Sequence, residues 1–368
     1  MPVDRRRERL EGLVRLLEAE NLDALLVTAR PNVRYLTGFS GSAALVVVTR
    51  ADTLLVTDFR YDEQARTEAG AVARVEVERT NVWERFLREL PGLGPLERIG
   101  FEAHTVTVKE AERLHEAGVR GGGRWTWNPT TELVERLRAR KDPGEVAAIR
   151  AAATLALEAL RRTLAVVRPG LTELEIAGVL EGTLRRLGSE GHPFATIVAS
   201  GPRSALPHAQ TSRRTVAAGE WLLLDFGAVV DGYCADITRT VVVGARATDA
   251  QHALYELVRT AQQRVREGVR AGMPGRDADA LARDLIEARG FGDGFGHSTG
   301  HGLGLEVHEA PRLAKTVAEP LPADAVVTVE PGVYLAGQGG VRIEDDVHLS
   351  GSGPVLLSDG KTELVELT

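Results

Sequence analysis

Residues 221–243 read WLLLDFGAVVDGYCADITRTVVV. Two apolar runs flank Asp231-Gly232, the favoured dipeptide for a two-residue hairpin turn, so the stretch predicts a long antiparallel β-hairpin. A tight turn sets Asp236 opposite Gly227 and points Asp225 and Asp236 to one face, where diagonal neighbours lie roughly 7–8 Å apart. Carboxylates inside so apolar a run need a cation, because burying them unpaired is costly. No arginine or lysine falls between them. The alternative is a face open to water, with the aspartates paired to a distant arginine.

Working outward, two further apolar strands carry a carboxylate. VVTVEPGVYL ends a strand at Glu330, and GGVRIEDDVHL puts Glu344 on the face of Arg342. Between them and the hairpin stands HSTGHGLGLEVHE, residues 297–309, with three histidines. His297 and His301 have the i, i+4 spacing of a metal-binding helix. Gly300, Gly302 and Gly304 argue against one, since each glycine costs a helix interior roughly 1 kcal/mol against alanine. A bent strand or loop is expected there. Counting His301, the set is four carboxylates and one imidazole, whose charge balances two divalent cations. Hard oxygen donors with one nitrogen suit manganese, cobalt or zinc. A bridged pair of such ions lowers the pKa of a shared water and makes hydroxide available near neutral pH.

The rest of the chain sets the frame. Its 368 residues are enough for two or three domains. A net charge of −7 offers no basic surface to a phosphate backbone, so no nucleic-acid partner is expected. No apolar run approaches the roughly 18 residues of a membrane span, and MPVDRRRERLEGL reads as neither signal nor anchor. The single cysteine, Cys234, excludes internal disulfides, and a cytoplasmic protein without a membrane partner is expected.

Residues 1 to about 128 alternate strand-like runs (24–28, 44–49, 53–58, 74–78) with helical ones (4–20, 63–69, 82–90), which predicts a small α/β domain. From WTWNPTTELVERLRARKDPGEV onward the pattern turns helical. Asp142 with Pro143 and Glu145, Thr172 with Glu175, and Thr248 with Gln251 predict three capping boxes. The boundary is placed near residue 130, giving domains 1–130 and 131–368.

Taken in order, LLLDFGA, CADITRT, STGHGLGLEVHE, TVEPGVY and VRIEDD resemble the ligand motifs of the proline-specific metallopeptidases of the pita-bread fold, aminopeptidase P and prolidase, over essentially the whole chain. The resemblance implies a creatinase-like N-terminal α/β domain for substrate access and dimerisation, then a pita-bread α+β catalytic domain. It implies metal ligands Asp225, Asp236, His301, Glu330 and Glu344, with Asp236 and Glu344 bridging two ions, expected as manganese with cobalt or zinc as alternatives. His208, His308 and Arg342 become the candidate catalytic residues, and His297 a lining of the proline pocket. YLTGFSGSAALVVV and TDFRY are similar to aminopeptidase P segments and make Asp58, Arg60 and Tyr61 candidates for substrate binding. Their plainer reading is a strand-end ion pair beside a packed tyrosine. The expected activity is a dimeric Xaa-Pro aminopeptidase acting on peptides with proline second; the alternatives are a Xaa-Pro dipeptidase or a binding protein of the same fold.

Overall fold

The computed structural model describes residues 4–120 and 125–368. It divides into two compact units, Met1–Arg138 and Ala139–Thr368. The dividing point lies one short helix, Leu133–Arg138, beyond residue 130, and that helix packs on the helices Arg6–Ala19 and Arg30–Thr37 of the first unit.

The first unit is a six-stranded mixed sheet in the order Arg74–Glu78, Thr53–Asp58, Ala44–Thr49, Ala24–Val27, Arg98–Glu102, Thr126–Thr130. Ala24–Val27 is buried along its whole length, as a central strand covered on both faces must be. Leu26, Val47, Leu54, Phe86 and Ile99 share one core cluster beneath it. The four strands expected from alternation are present. Two more were not expected, Arg98–Glu102 and Thr126–Thr130: the latter, read as the onset of helices, forms an edge strand, where Pro129 withholds no needed ladder donor.

The second unit begins with helices fixed by their caps. Asp142, Thr172 and Thr248 each bond the N3 backbone while Glu145, Glu175 and Gln251 return to the cap N–H, opening Pro143–Leu164, Glu173–Leu187 and Asp249–Gly268. A four-stranded sheet runs Val365–Leu367, Ile237–Val243, Glu220–Phe226, Ile197–Ser200. A five-stranded one runs Glu309–Leu313, Gly300–Gly302, Val326–Val329, Asp345–Ser350, Gly353–Leu356. The first two helices share a core with one sheet, and Asp249–Gly268 with Gly275–Ala288 share a second core with strands of the other. The four-stranded sheet is tied to the strand Gly339–Arg342, which pairs separately with Gly332–Leu335, and to the link before Asp345–Ser350, where Glu344 N donates to Thr238 O at 3.1 Å and Thr240 Oγ1 donates to Arg342 O at 3.0 Å.

The hairpin has the expected register. Asp231 and Gly232 take φ of 50° and 77°, positive at both central turn positions, and Val230 pairs with Tyr233 while Asp225 pairs with Thr238. Its ladder, however, comes in two pieces. Around Asp236 the strand leaves its partner, and the Asp236 N–H turns instead to Asp346 Oδ2 at 3.3 Å. That interruption frees the Asp236 segment to reach the second sheet. Among the described residues no helix is long and apolar enough to cross a membrane.

Candidate metal centre

His301 sits in a three-residue strand rather than a helix, as its glycines require. A Cβ at Gly300 would stand 2.0 Å from Thr328 O, and one at Gly302 would stand 2.2 Å from Ala310 O. Only glycine permits backbones this close on both sides of the histidine. The imidazole Nδ1 faces Gly302 O at 3.0 Å; a carbonyl can only accept, so Nδ1 carries the proton and Nε2 is left as a lone-pair donor. Nε2 lies 3.4 Å from Glu330 Oε1 and 3.8 Å from Asp236 Oδ2.

The carboxylates converge from four different chain segments. Asp236, His301 and Glu344 each offer a ligand atom within 4.8 Å of the others, and all three are buried. Burial, then the charges of Glu344, Asp225 and Glu330, pushes the Asp236 carboxyl well above its usual range. Burial, with Glu330 and Asp225 close behind, does the same to Glu344. Glu330 is pushed up to about 7 by burial, against the pull of Arg342. The structure thus groups Asp236, His301 and Glu344, sets Glu330 beside His301, and places Asp225 near enough for its charge to raise the pKa of the other three carboxyls.

The face is not open to water, since Asp225 and Asp236 are only 8% and 5% exposed, yet a distant arginine does reach it. Arg342 Nη2 donates to Asp225 Oδ2 at 2.5 Å, Nε donates to Thr238 Oγ1 at 3.0 Å, and Nη1 donates to Tyr334 Oη at 2.7 Å. Thr238 Oγ1 passes its own proton to Glu344 Oε2 at 2.6 Å. Asp225 is therefore partly neutralised from within, while Asp236 has no such partner. Asp225 Oδ1 and Asp236 Oδ1 are both buried with no hydrogen-bond partner among the described residues. Orphaned anionic oxygens in a crowded, dry cluster are what a divalent ion satisfies, so the residues present fit a metal.

Tyr334 Oη, accepting from Arg342, donates to His297 Nε2 at 2.9 Å, and His297 Nδ1 donates to Ser298 O at 2.8 Å. Burial lowers the His297 pKa to about 4, which keeps the ring neutral, as these directions need. With both nitrogens engaged, His297 offers neighbours ring carbon only. Phe295 meets it edge-on at 5.2 Å and Tyr334 lies tilted at 5.5 Å, so the three rings form an aromatic wall. His208 and His308 are exposed at the rim; His308 stands 4.3 Å from the His301 ring, and burial lowers its pKa.

Asp58, Arg60 and Tyr61 belong to the first unit. Arg60 closes on Asp58 through Nε–Oδ1 at 2.9 Å and Nη2–Oδ2 at 2.7 Å, and the Tyr61 hydroxyl meets Ser42 Oγ at 2.6 Å with its ring edge-on to Phe39. The sequence reading did not single out Thr238, Tyr334 or Asp346. Thr238 had a signal, two residues past Asp236 on an alternating strand; the others depend on long-range contacts.

A cluster of acidic donors around one imidazole, buried between two sheets, defines a metal-dependent hydrolase. The comparisons carry this further: the model of metallopeptidase family M24 matches residues 147–350, and that of the creatinase/prolidase N-terminal domain matches 9–140. The chain belongs to metallopeptidase family M24 and has the family's pita-bread fold, with the α/β domain preceding it. It is 39% identical over 345 residues to the uncharacterized peptidase YqhT of Bacillus subtilis, covering 91% of this chain and 93% of that one. Among solved structures it superposes on a Xaa-Pro dipeptidase from Bacillus anthracis at TM-score 0.93 with 39% identity, covering 98% and 100% of the two chains. An X-Pro aminopeptidase from Thermotoga maritima gives 0.89 and 37%, covering 97% and 99%.

Proposed function

We propose that this metallopeptidase is a Xaa-Pro aminopeptidase, a dimer using two divalent ions, with manganese first, to release the first residue from peptides with proline second. The observation that carries the reading is the pairing of the orphaned carboxylate cluster with the aromatic wall of Phe295, His297 and Tyr334. Asp225, Asp236, His301, Glu330 and Glu344 would hold the ions. When bound, they supply Lewis acidity and an acidified water. His297 and Tyr334, half-buried and backed by the buried Phe295 ring, would offer a pyrrolidine ring an apolar surface with no hydrogen-bonding demand. The scissile nitrogen, which has no hydrogen of its own, must take up a proton as the C–N bond breaks, and exposed His308 or His208 at the rim delivers it. Arg342 holds Asp225 and Tyr334 in place, and so orients both halves of the site.

The second reading is a Xaa-Pro dipeptidase. What favours it is the near-equal likeness to relatives bearing either description, 39% against 37% identity, and the closure of Arg60 on Asp58, which occupies the guanidinium proposed for longer peptides. Metal-loaded protein assayed on Ala-Pro and Ala-Pro-Ala side by side separates the two. Much faster cleavage of the tripeptide supports the aminopeptidase; comparable or faster dipeptide cleavage moves the assignment to the dipeptidase. Replacing proline by alanine is expected to remove most activity in either case.

A further inference from the structure

Behind the aromatic wall, the helix Gly275–Ala288 presents an ion pair that none of the proposed chemistry uses. Arg283 and Asp279, one turn apart, meet through Nε–Oδ2 at 2.5 Å and Nη2–Oδ1 at 2.9 Å. Their side chains are 13% and 1% exposed, so the pair is largely dry. Such burial is not repaid by the pair alone; it needs further hydrogen bonds on the remaining donors and acceptors. These are found on one short stretch of chain. Arg283 Nη1 donates to Phe295 O at 3.0 Å and Nη2 to His297 O at 2.7 Å. Asp279 Oδ1 accepts from Thr299 N at 3.0 Å and from Thr299 Oγ1 at 2.8 Å. The guanidinium also lies 4.2 Å from the Phe295 ring centroid.

We propose that Asp279 and Arg283 are positioning residues that clamp residues 295–299 and thereby set the placement of the His297 and Phe295 rings, and with it the preference for a pyrrolidine ring after the scissile bond. The proposal rests on the reading of His297 as a wall of the proline pocket. A general structural role would spread its contacts, whereas this pair spends four hydrogen bonds on residues 295–299: the carbonyls of Phe295 and His297 and the amide and hydroxyl of Thr299. The planar fork is essential to it: one guanidinium holds two carbonyls and a carboxylate at fixed angles, which a lysine ammonium cannot reproduce. A wall displaced by about 1 Å costs a selective enzyme heavily, because the alignment of the bound ring is lost.

The test uses full-length, metal-loaded enzyme carrying Arg283→Met, Arg283→Lys or Asp279→Asn, with His297→Ala as reference, and two tripeptides that differ only in proline or alanine at the second position. Arg283→Met is expected to lower the proline-over-alanine ratio of kcat/KM by about tenfold or more, chiefly by raising KM for the proline peptide, with metal per chain as in the wild type. Arg283→Lys, which keeps the charge, is expected to fall between. Should Arg283→Met fail to fold, Arg283→Lys and Asp279→Asn carry the same test. An unchanged ratio in variants that fold, or a loss shared equally by both peptides in step with metal loss, overturns the clamp. If His297→Ala itself leaves the ratio unchanged, the reading of His297 falls first and takes the clamp with it.

Discussion

Two arginine–aspartate pairs in this protein have similar Nη2–Oδ2 distances and opposite surroundings. Arg342 meets Asp225 at 2.5 Å with side chains 5% and 12% exposed; Arg60 meets Asp58 at 2.7 Å with 60% and 16%. The buried guanidinium also reaches Thr238 and Tyr334, and through them Glu344 and His297. The exposed one returns to its own aspartate two residues away. Contact distance therefore says little about consequence. The medium and the number of further partners decide it: water screens and replaces the exposed pair, while the buried pair has nothing to replace it.

The largest expected effect tests the buried side of that comparison. Arg342→Met removes the cation and leaves Asp225 buried without it, which costs about 3–5 kcal/mol when a buried pair loses one partner. Urea denaturation of the metal-free variant reads this directly, and a loss below about 1 kcal/mol, the range of an exposed pair, would erase the contrast. Activity falls with it, because Glu344 and His297 both lose an anchor two hydrogen bonds away.

The next effect separates groups inside the cluster from those at its rim. His301→Ala is expected to lose metal and turnover together. His308→Ala and His208→Ala are expected to keep their metal and lose rate, by about 100- to 1,000-fold where the lost contact acts in the transition state. Metal analysis alongside kcat distinguishes these patterns. Equal metal loss in all three would mean that burial does not mark the ligands.

How much of this was legible in the sequence follows the same division between local and distant. The Asp231-Gly232 turn, the hairpin register and the three capping boxes are set by residues within a few positions of one another, and each is found as read. His301 as a strand residue was legible from glycine chemistry alone. The break in the ladder at Asp236 was not, because its cause is Asp346, more than a hundred residues away. Nor was the cation facing Asp225: Arg342 was visible beside Glu344, but alternation along one strand does not say which carboxylate across the site it will meet. Thr126–Thr130 misled because its Trp127 and Pro129 fit an edge strand only once Arg98–Glu102 is beside it.

The smallest expected effect lies on the exposed side. Arg60→Ala removes a surface ion pair whose attraction is screened and offset by side-chain ordering, so little or no change in stability is expected. Asp58 remains able to accept the amide at position 60, since that bond, 3.0 Å from Arg60 N to Oδ1, comes from the backbone. Thermal unfolding should barely move, and metal content should not move. Any larger consequence must then come from substrate. If Arg60 serves longer peptides, cleavage of Ala-Pro-Ala falls while cleavage of Ala-Pro is spared, a split that a simple surface pair cannot produce. Wild-type rates on both peptides, with stability unchanged, would reduce Asp58, Arg60 and Tyr61 to a strand-end ion pair beside a packed tyrosine and leave selectivity to the aromatic wall alone.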